Sequence, residues 1–208
     1  MPDTGTAGRR IGVFGSAFNP PQNAHIAVVE AAIRQFGLDR VIVVPTGSAY
    51  HKDSESDPGP GTRLAMARAA FGGMKGVAVS PVEVERKGPS YTYVTLEEIA
   101  SENSDSEIHL LMGADMARGF GGWKQPERIL ELARIGVAPR SDVSRDEVVA
   151  TFEPLGAVDR VSFIDMPTVD LSSSLVRGRI GAGKTVSDVV PAAVAEMIDN
   201  EGVYGSEQ

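Results

Sequence analysis

Ile11-Gly12-Val13-Phe14-Gly15-Ser16-Ala17-Phe18-Asn19-Pro20-Pro21-Gln22-Asn23-Ala24-His25 runs a short apolar stretch into a glycine, two prolines and a histidine. Such a stretch bounded by turn residues reads as a buried strand over Ile11–Phe14. Gly15 is expected to make the tight turn after it, leaving no Cβ between the backbone and a ligand. Val29, Ala32, Ile33 and Phe36 then recur at helical spacing, so His25 stands at the start of an amphipathic helix and shares its partly positive N-terminus. A strand, a glycine and a helix start in this order suit a phosphate. They also suit an ordinary strand–helix loop with a capping histidine, and this segment alone does not decide between the two.

Outward from this corner, strand and helix signals alternate. Further strand runs are Val41–Val44, Val77–Ser80, Ile108–Met112, Ile135–Ala138 and Val161–Ile164. Helical stretches are His25–Phe36 with Gly37 as its stop, Thr62–Phe71, Tyr93–Ala100, Pro126–Ala133, Ser144–Phe152 and Pro191–Asn200 with Gly202 beyond. Ser144-Arg145-Asp146-Glu147 has the form of a capping box. Apolar strands alternating with amphipathic helices predict a Rossmann-like α/β fold, a doubly wound parallel sheet with helices on both faces. Its ligands collect at the carboxyl ends of the strands, where the first loop points. Residues 1–208 read as one domain, with 1–8 a flexible N-terminus and 171–204 the C-terminal helical part. Ser54–Gly61 reads as a mobile surface loop within it.

Composition narrows the partners. The 208 residues are long enough to bury a substantial core, and no apolar run approaches the about 20 residues that cross a bilayer. Met1–Gly8 lacks the apolar core of a secretory signal, and without cysteine there is no disulfide, thiolate zinc site or thiol nucleophile. A cytoplasmic location is the default expectation. A net charge of −8 argues against a nucleic-acid partner, since backbone-phosphate binding needs clustered Lys and Arg. It leaves room for a small polyanion held by a few local cations.

One match misleads. Gly178-Arg179-Ile180-Gly181-Ala182-Gly183-Lys184-Thr185 satisfies the P-loop pattern letter for letter. A working P-loop leaves a strand directly and opens a helix. Here Leu171-Ser172-Ser173-Ser174-Leu175-Val176-Arg177 upstream looks helical, and the run after Thr185 is short and ends at Pro191. The match reads as accidental, a helix end with a glycine stop.

Several separated segments together resemble the nicotinate-nucleotide adenylyltransferase family, within the nucleotidyltransferases. Gly15 to His25 is similar to its G-G-T-F-D-P-I-H-x-G-H, and Pro45 through His51-Lys52 to its P-x-x-x-P-P-H-K. Pro89-Ser90-Tyr91-Thr92-Tyr93-Val94-Thr95-Leu96 resembles S-Y-T-x-D-T-L. Leu110-Leu111-Met112-Gly113-Ala114-Asp115 with Trp123 resembles F-I-x-G-A-D…W, and Leu171 to Arg177 resembles I-S-S-T-x-I-R. Gly183-Lys184-Thr185 to Pro191 and Gly202-Val203-Tyr204 fit the family's tail, so the ordered likeness spans residues 11 to 204.

The resemblance implies transfer of AMP from ATP to the phosphate of a pyridine mononucleotide, with nicotinate mononucleotide as the leading acceptor and pyrophosphate as the second product. His25, Lys52 and Arg177 take the catalytic positions. ATP falls to Gly15, Ser16, Phe18, Gln22, His25, Gly113, Asp115, Ser173, Ser174 and Arg177. The mononucleotide falls to Asn19, Lys52, Thr92, Trp123 and Arg140. Each has an ordinary alternative: the serines as helix caps, Lys52 as a solvated loop lysine, Trp123 as a core aromatic. His109 fits no motif and reads as structural. Mg²⁺ is expected with ATP, with no dedicated protein ligands. The implied partners are small molecules, not nucleic acid or membrane, and a homo-oligomer is left open.

The first loop departs from the family pattern. Gln22 stands for a histidine, Ala24 for a glycine and Asn19 for an aspartate; Val94 replaces the aspartate of the substrate segment, and Ser48 to Tyr50 alter the turn before His51. A charge-assisted hydrogen bond contributes about 1.5–3 kcal/mol, so the loss at Gln22 alone is of consequence. These departures admit two further readings: a different phosphate acceptor, or a catalytically weakened nucleotide-binding paralogue.

Overall fold

The alternating pattern becomes one six-stranded parallel sheet in the computed structural model, which describes residues 8–47, 57–169 and 171–205. In chain order the elements are β1 (Arg9–Ser16), α1 (Asn23–Phe36), β2 (Arg40–Pro45), α2 (Pro60–Phe71), β3 (Val77–Val79), α3 (Val82–Glu85), α4 (Thr92–Glu102) and β4 (Ser106–Gly113). Next come α5 (Ala114–Arg118), α6 (Pro126–Leu132), β5 (Ala133–Ala138), α7 (Arg145–Phe152), β6 (Val161–Phe163), α8 (Ser173–Gly181) and α9 (Ala192–Glu201). Single 3₁₀ turns lie at Phe120–Gly122 and Val158–Arg160.

The strands lie in the order β3-β2-β1-β4-β5-β6. The chain winds outward from β1 on one side, then returns through α4 to place β4 on the other. This reversal between β1 and β4 opens a crevice at their carboxyl ends, where doubly wound sheets bind ligands. Ser16 closes β1 and Gly113 closes β4, so two of the sequence motifs meet at that crevice.

The two faces of the sheet explain the continuous apolar runs. Along β1, Ile11 and Val13 enter one core with Leu110, Met112, Ile135, Val137, Phe120 and Phe152. Phe14 enters the other with Val29, Val41, Val43, Phe71 and Leu111, as strand alternation requires. Each such side chain taken from water contributes about 1.5–3 kcal/mol before conformational entropy is set against it. A third cluster, with Met66, Val176, Val190, Val194 and Ile198, fastens α8 and α9 to α2.

Helix ends obey local chemistry. Gly37, at φ 61°, closes α1, and Ser144 and Glu147 form the capping box at α7. Of the expected loop over 54–61, residues 54–56 lie outside the described residues, and Pro60 already opens α2, where a missing N–H costs nothing. The P-loop pattern fails on its amides. Those of Ala182, Gly183 and Lys184 donate to the carbonyls of Gly178, Ile180 and Arg179, closing the end of α8. No helix among the described residues is long and apolar enough to cross a membrane.

Candidate active site

The chain leaves β1 at Ser16 and reverses at Phe18, whose φ of 49° is left-handed. Gly15 stays extended within the strand, so the tight turn expected there falls three residues later. A bulky residue in this region is strained and persists only when its surroundings hold it. Phe18 is fully buried, with the rings of His25, Phe71 and Phe14 at 5.1, 5.5 and 5.7 Å. Distant side chains take the carbonyls of the turn. Arg63 Nη1 donates to Ala17 at 3.0 Å and Arg177 Nη1 to Asn19 at 2.9 Å.

His25 is the third residue of α1, and its Nδ1 accepts the backbone N–H of Gln22 at 3.0 Å. An amide can only donate, so Nδ1 is unprotonated and the ring proton sits on Nε2. Burial, and then the nearby positive charge of Arg140, lower the pKa to about 4. At neutral pH the residue is therefore an uncharged donor of fixed tautomer.

The N-terminus of α8 meets this turn. Ser172 caps the helix by accepting the N–H of Leu175 at 3.2 Å, which leaves Ser173 and Ser174 free of that duty. Ser173 Oγ accepts from Gln22 Nε2 at 2.9 Å and donates to the Pro20 carbonyl at 3.4 Å. Ser174 Oγ accepts from Arg177 Nη2 at 3.2 Å. Residues 151 positions apart thus close one cleft, and the partial positive charge of the α8 N-terminus faces the first loop.

Other expected residues line the neighbouring strand ends. Asp115 lies in the first turn of α5, its Oδ1 only 2.5 Å from where a Cβ on Gly113 would stand. A Cβ at Gly113 would crowd that carboxylate, so the glycine leaves the aspartate room. Arg140 lies just after β5; its Nη1 donates to the Leu171 carbonyl at 3.0 Å, while its Nε is buried with no hydrogen-bond partner among the described residues. A carboxylate, that of Asp142, stands 4.0 Å from that Nε. Thr92 begins α4, and the preceding Ser90 accepts the N–H of Gly47 at 3.2 Å, joining that segment to the end of β2. Trp123 is half-buried, its ring 5.3 Å from Phe120. Asn19 is buried, and its side-chain oxygen accepts the Tyr204 hydroxyl at 2.5 Å. His51 and Lys52 lie outside the described residues.

His109 stacks on Phe36 at 5.3 Å and pairs with Glu107 at 2.8 Å, a structural placement. Two residues of the cleft's support were not singled out from sequence. Arg63, 2% exposed, reaches the carbonyls of Ala17, Thr46 and Gly47 and pairs with Asp57. Its signal was an arginine at helical spacing from Met66 and Ala67 on a buried face. Tyr204 carried no signal beyond its place in the tail. Among the described residues, no group of three or more His, Asp or Glu gathers to hold a metal ion.

Residues 13–179 match the cytidylyltransferase-like family, and the chain belongs to that class of nucleotidyltransferases. Relatives sharpen the assignment. A protein of Albidiferax ferrireducens named "Probable nicotinate-nucleotide adenylyltransferase" is 40% identical over 196 residues, covering 94% of this chain and 98% of that one. A protein of the same name from Thermomicrobium roseum is 35% identical, covering 94% and 91%. The chain is a member of the nicotinate-nucleotide adenylyltransferase family. Its fold is shared with the Plasmodium falciparum nicotinic acid mononucleotide adenylyltransferase solved with NaAD, at a TM-score of 0.79 and 15% identity, covering 96% of this chain and 98% of that one.

Proposed function

We propose that this enzyme transfers AMP from ATP to the phosphate of nicotinate mononucleotide, giving the deamido-NAD dinucleotide and pyrophosphate. A phosphate oxygen of the mononucleotide attacks the α-phosphorus of ATP in line, the bond to the bridging β-phosphate oxygen breaks, and pyrophosphate leaves with its electron pair. Both reactants are anions, so the protein's task is positioning and charge stabilisation.

The observation that carries this reading is the convergence of His25 with the N-terminus of α8 on one turn. Neutral His25 donates from Nε2 to the α-phosphate as charge builds there. Ser173, Ser174 and Arg177 hold the departing phosphates, helped by the amides of Gly15, Ser16 and Phe18. Gln22 acts as a tether between the two, with its amide spent on Ser173. Arg140, with its buried Nε unbonded among the described residues, takes the mononucleotide phosphate, and Asp115 accepts from ribose hydroxyls beside Gly113. Thr92 and Trp123 frame the pyridine ring. Asn19 serves the shape of the loop, and Lys52 completes the charge on the phosphates. Mg²⁺ bound with the triphosphate would supply charge neutralisation at the phosphates.

Purified protein with ATP, Mg²⁺ and nicotinate mononucleotide is expected to release pyrophosphate. Nicotinamide mononucleotide, flavin mononucleotide and phosphopantetheine serve as competing acceptors. Faster turnover of one of these would replace the acceptor, and no turnover with any would leave a nucleotide-binding paralogue.

A further inference from the structure

The turn that carries the proposed phosphate contacts is fixed from the far end of the chain. Tyr204, just beyond α9, donates its hydroxyl to Asn19 Oδ1 at 2.5 Å. Asn19 is 7% exposed, so this bond lies in the protein interior, and the backbone carbonyl of the same residue accepts from Arg177 at 2.9 Å. Arg63 takes the carbonyl two residues earlier. The strained residue, Phe18, sits between those two anchored carbonyls. A left-handed phenylalanine relaxes unless both flanks are pinned. Tyr204 itself has a left-handed φ of 70°, so the tail too adopts a costly backbone to present its hydroxyl. Burial pushes the phenol pKa up, keeping the hydroxyl protonated and able to donate at every working pH.

We propose that Tyr204 is a positioning residue for adenylyl transfer, holding Asn19 and with it the 16–22 turn in the shape that binds phosphates. It touches neither substrate and acts through Asn19. This inference rests on the function proposed above, and it adds a role for the C-terminal tail that the motif resemblance does not supply.

Tyr204→Phe removes the hydroxyl, and with it a long 4.0 Å contact to Met66 Sδ, and keeps the ring packed against the third cluster. Two measurements on the full-length protein separate the claims. Amide hydrogen exchange read by mass spectrometry reports on peptides covering residues 16–22 whether or not the enzyme turns over. Pyrophosphate release reports on the reaction. The expected result is faster exchange in that peptide, unchanged exchange in the sheet, and kcat/KM for ATP reduced about tenfold, the loss of one buried hydrogen bond. Adding Tyr204→Phe to Asn19→Ala should cause no further loss, because the two act as one contact. Unchanged exchange over 16–22, or additive losses in the double variant, would overturn the proposal. Wild-type protein inactive with every acceptor, together with faster exchange in Tyr204→Phe, would remove the catalytic claim while leaving the clamp on the turn.

Discussion

Gln22 Nε2 and Ser173 Oγ lie 2.9 Å apart, and this bond joins the turn after the first strand to the helix beyond the last. Gln22 is 2% exposed, so its loss leaves a polar group of Ser173 facing an apolar replacement. Gln22→Leu should cost about 1–3 kcal/mol of stability, since an unpaired buried partner bears its full desolvation penalty. For a chain of this size each kcal/mol lowers the unfolding midpoint by about 2–4 °C, which calorimetry reads directly. KM for ATP should rise in the same variant, because the two halves of the cleft lose their register.

His25 gives a pH signature. Its folded pKa of about 4 lies below the ordinary 6.5, so between these values the unfolded chain binds more protons than the folded one. The contribution of neutral His25 is fully present above pH 6.5, declines as pH falls, and levels off below about 4. Denaturant titrations of wild type and His25→Gln should differ in slope across that window alone.

The same neutrality bears on catalysis. A neutral donor predicts that kcat/KM does not fall between about pH 6 and 8 on account of His25, whereas a required imidazolium would lose activity there. His25→Ala should lower kcat about 100- to 1000-fold, the usual effect of removing one transition-state donor. Stopped assays across pH with both proteins check the two statements together.

Arg140 lowers the pKa of His25 by its charge, so Arg140→Met should move that pKa back toward 6.5, measured by NMR titration of the ring. The same variant should raise KM for the mononucleotide about tenfold or more, in line with a charged hydrogen bond lost from a phosphate.

Lys184→Ala, within the P-loop pattern, should leave ATP affinity unchanged. The amides around it already close the end of α8. Loss of ATP binding in a calorimetric titration would reverse that reading.

Much of the fold was legible in the chain because the signals were redundant. Six apolar runs and the amphipathic helices between them define a parallel sheet, and the starts of those runs shift by at most two residues in the structure. Short elements such as α3 and α5, at four and five residues, cannot display a period and went unseen. In the site, motif positions such as His25, Asp115 and Ser173 could be named from sequence. Their partners could not, because the Gln22–Ser173, Asn19–Arg177 and Asn19–Tyr204 bonds join residues that sequence order keeps far apart. The turn residue misled for a local reason: the left-handed φ falls on Phe18, where buried aromatic packing overrides the preference for glycine.

A crystal structure of the protein with a non-hydrolysable ATP analogue and nicotinate mononucleotide puts the proposed chemistry to the sharpest trial. His25 Nε2 is expected within about 2.6–3.2 Å of an α-phosphate oxygen, hydrogen-bond reach, with the terminal phosphates at Ser173, Ser174 and Arg177. A triphosphate seated away from His25, for instance at the amino ends of the strands beside Arg9 and Arg40, would contradict it.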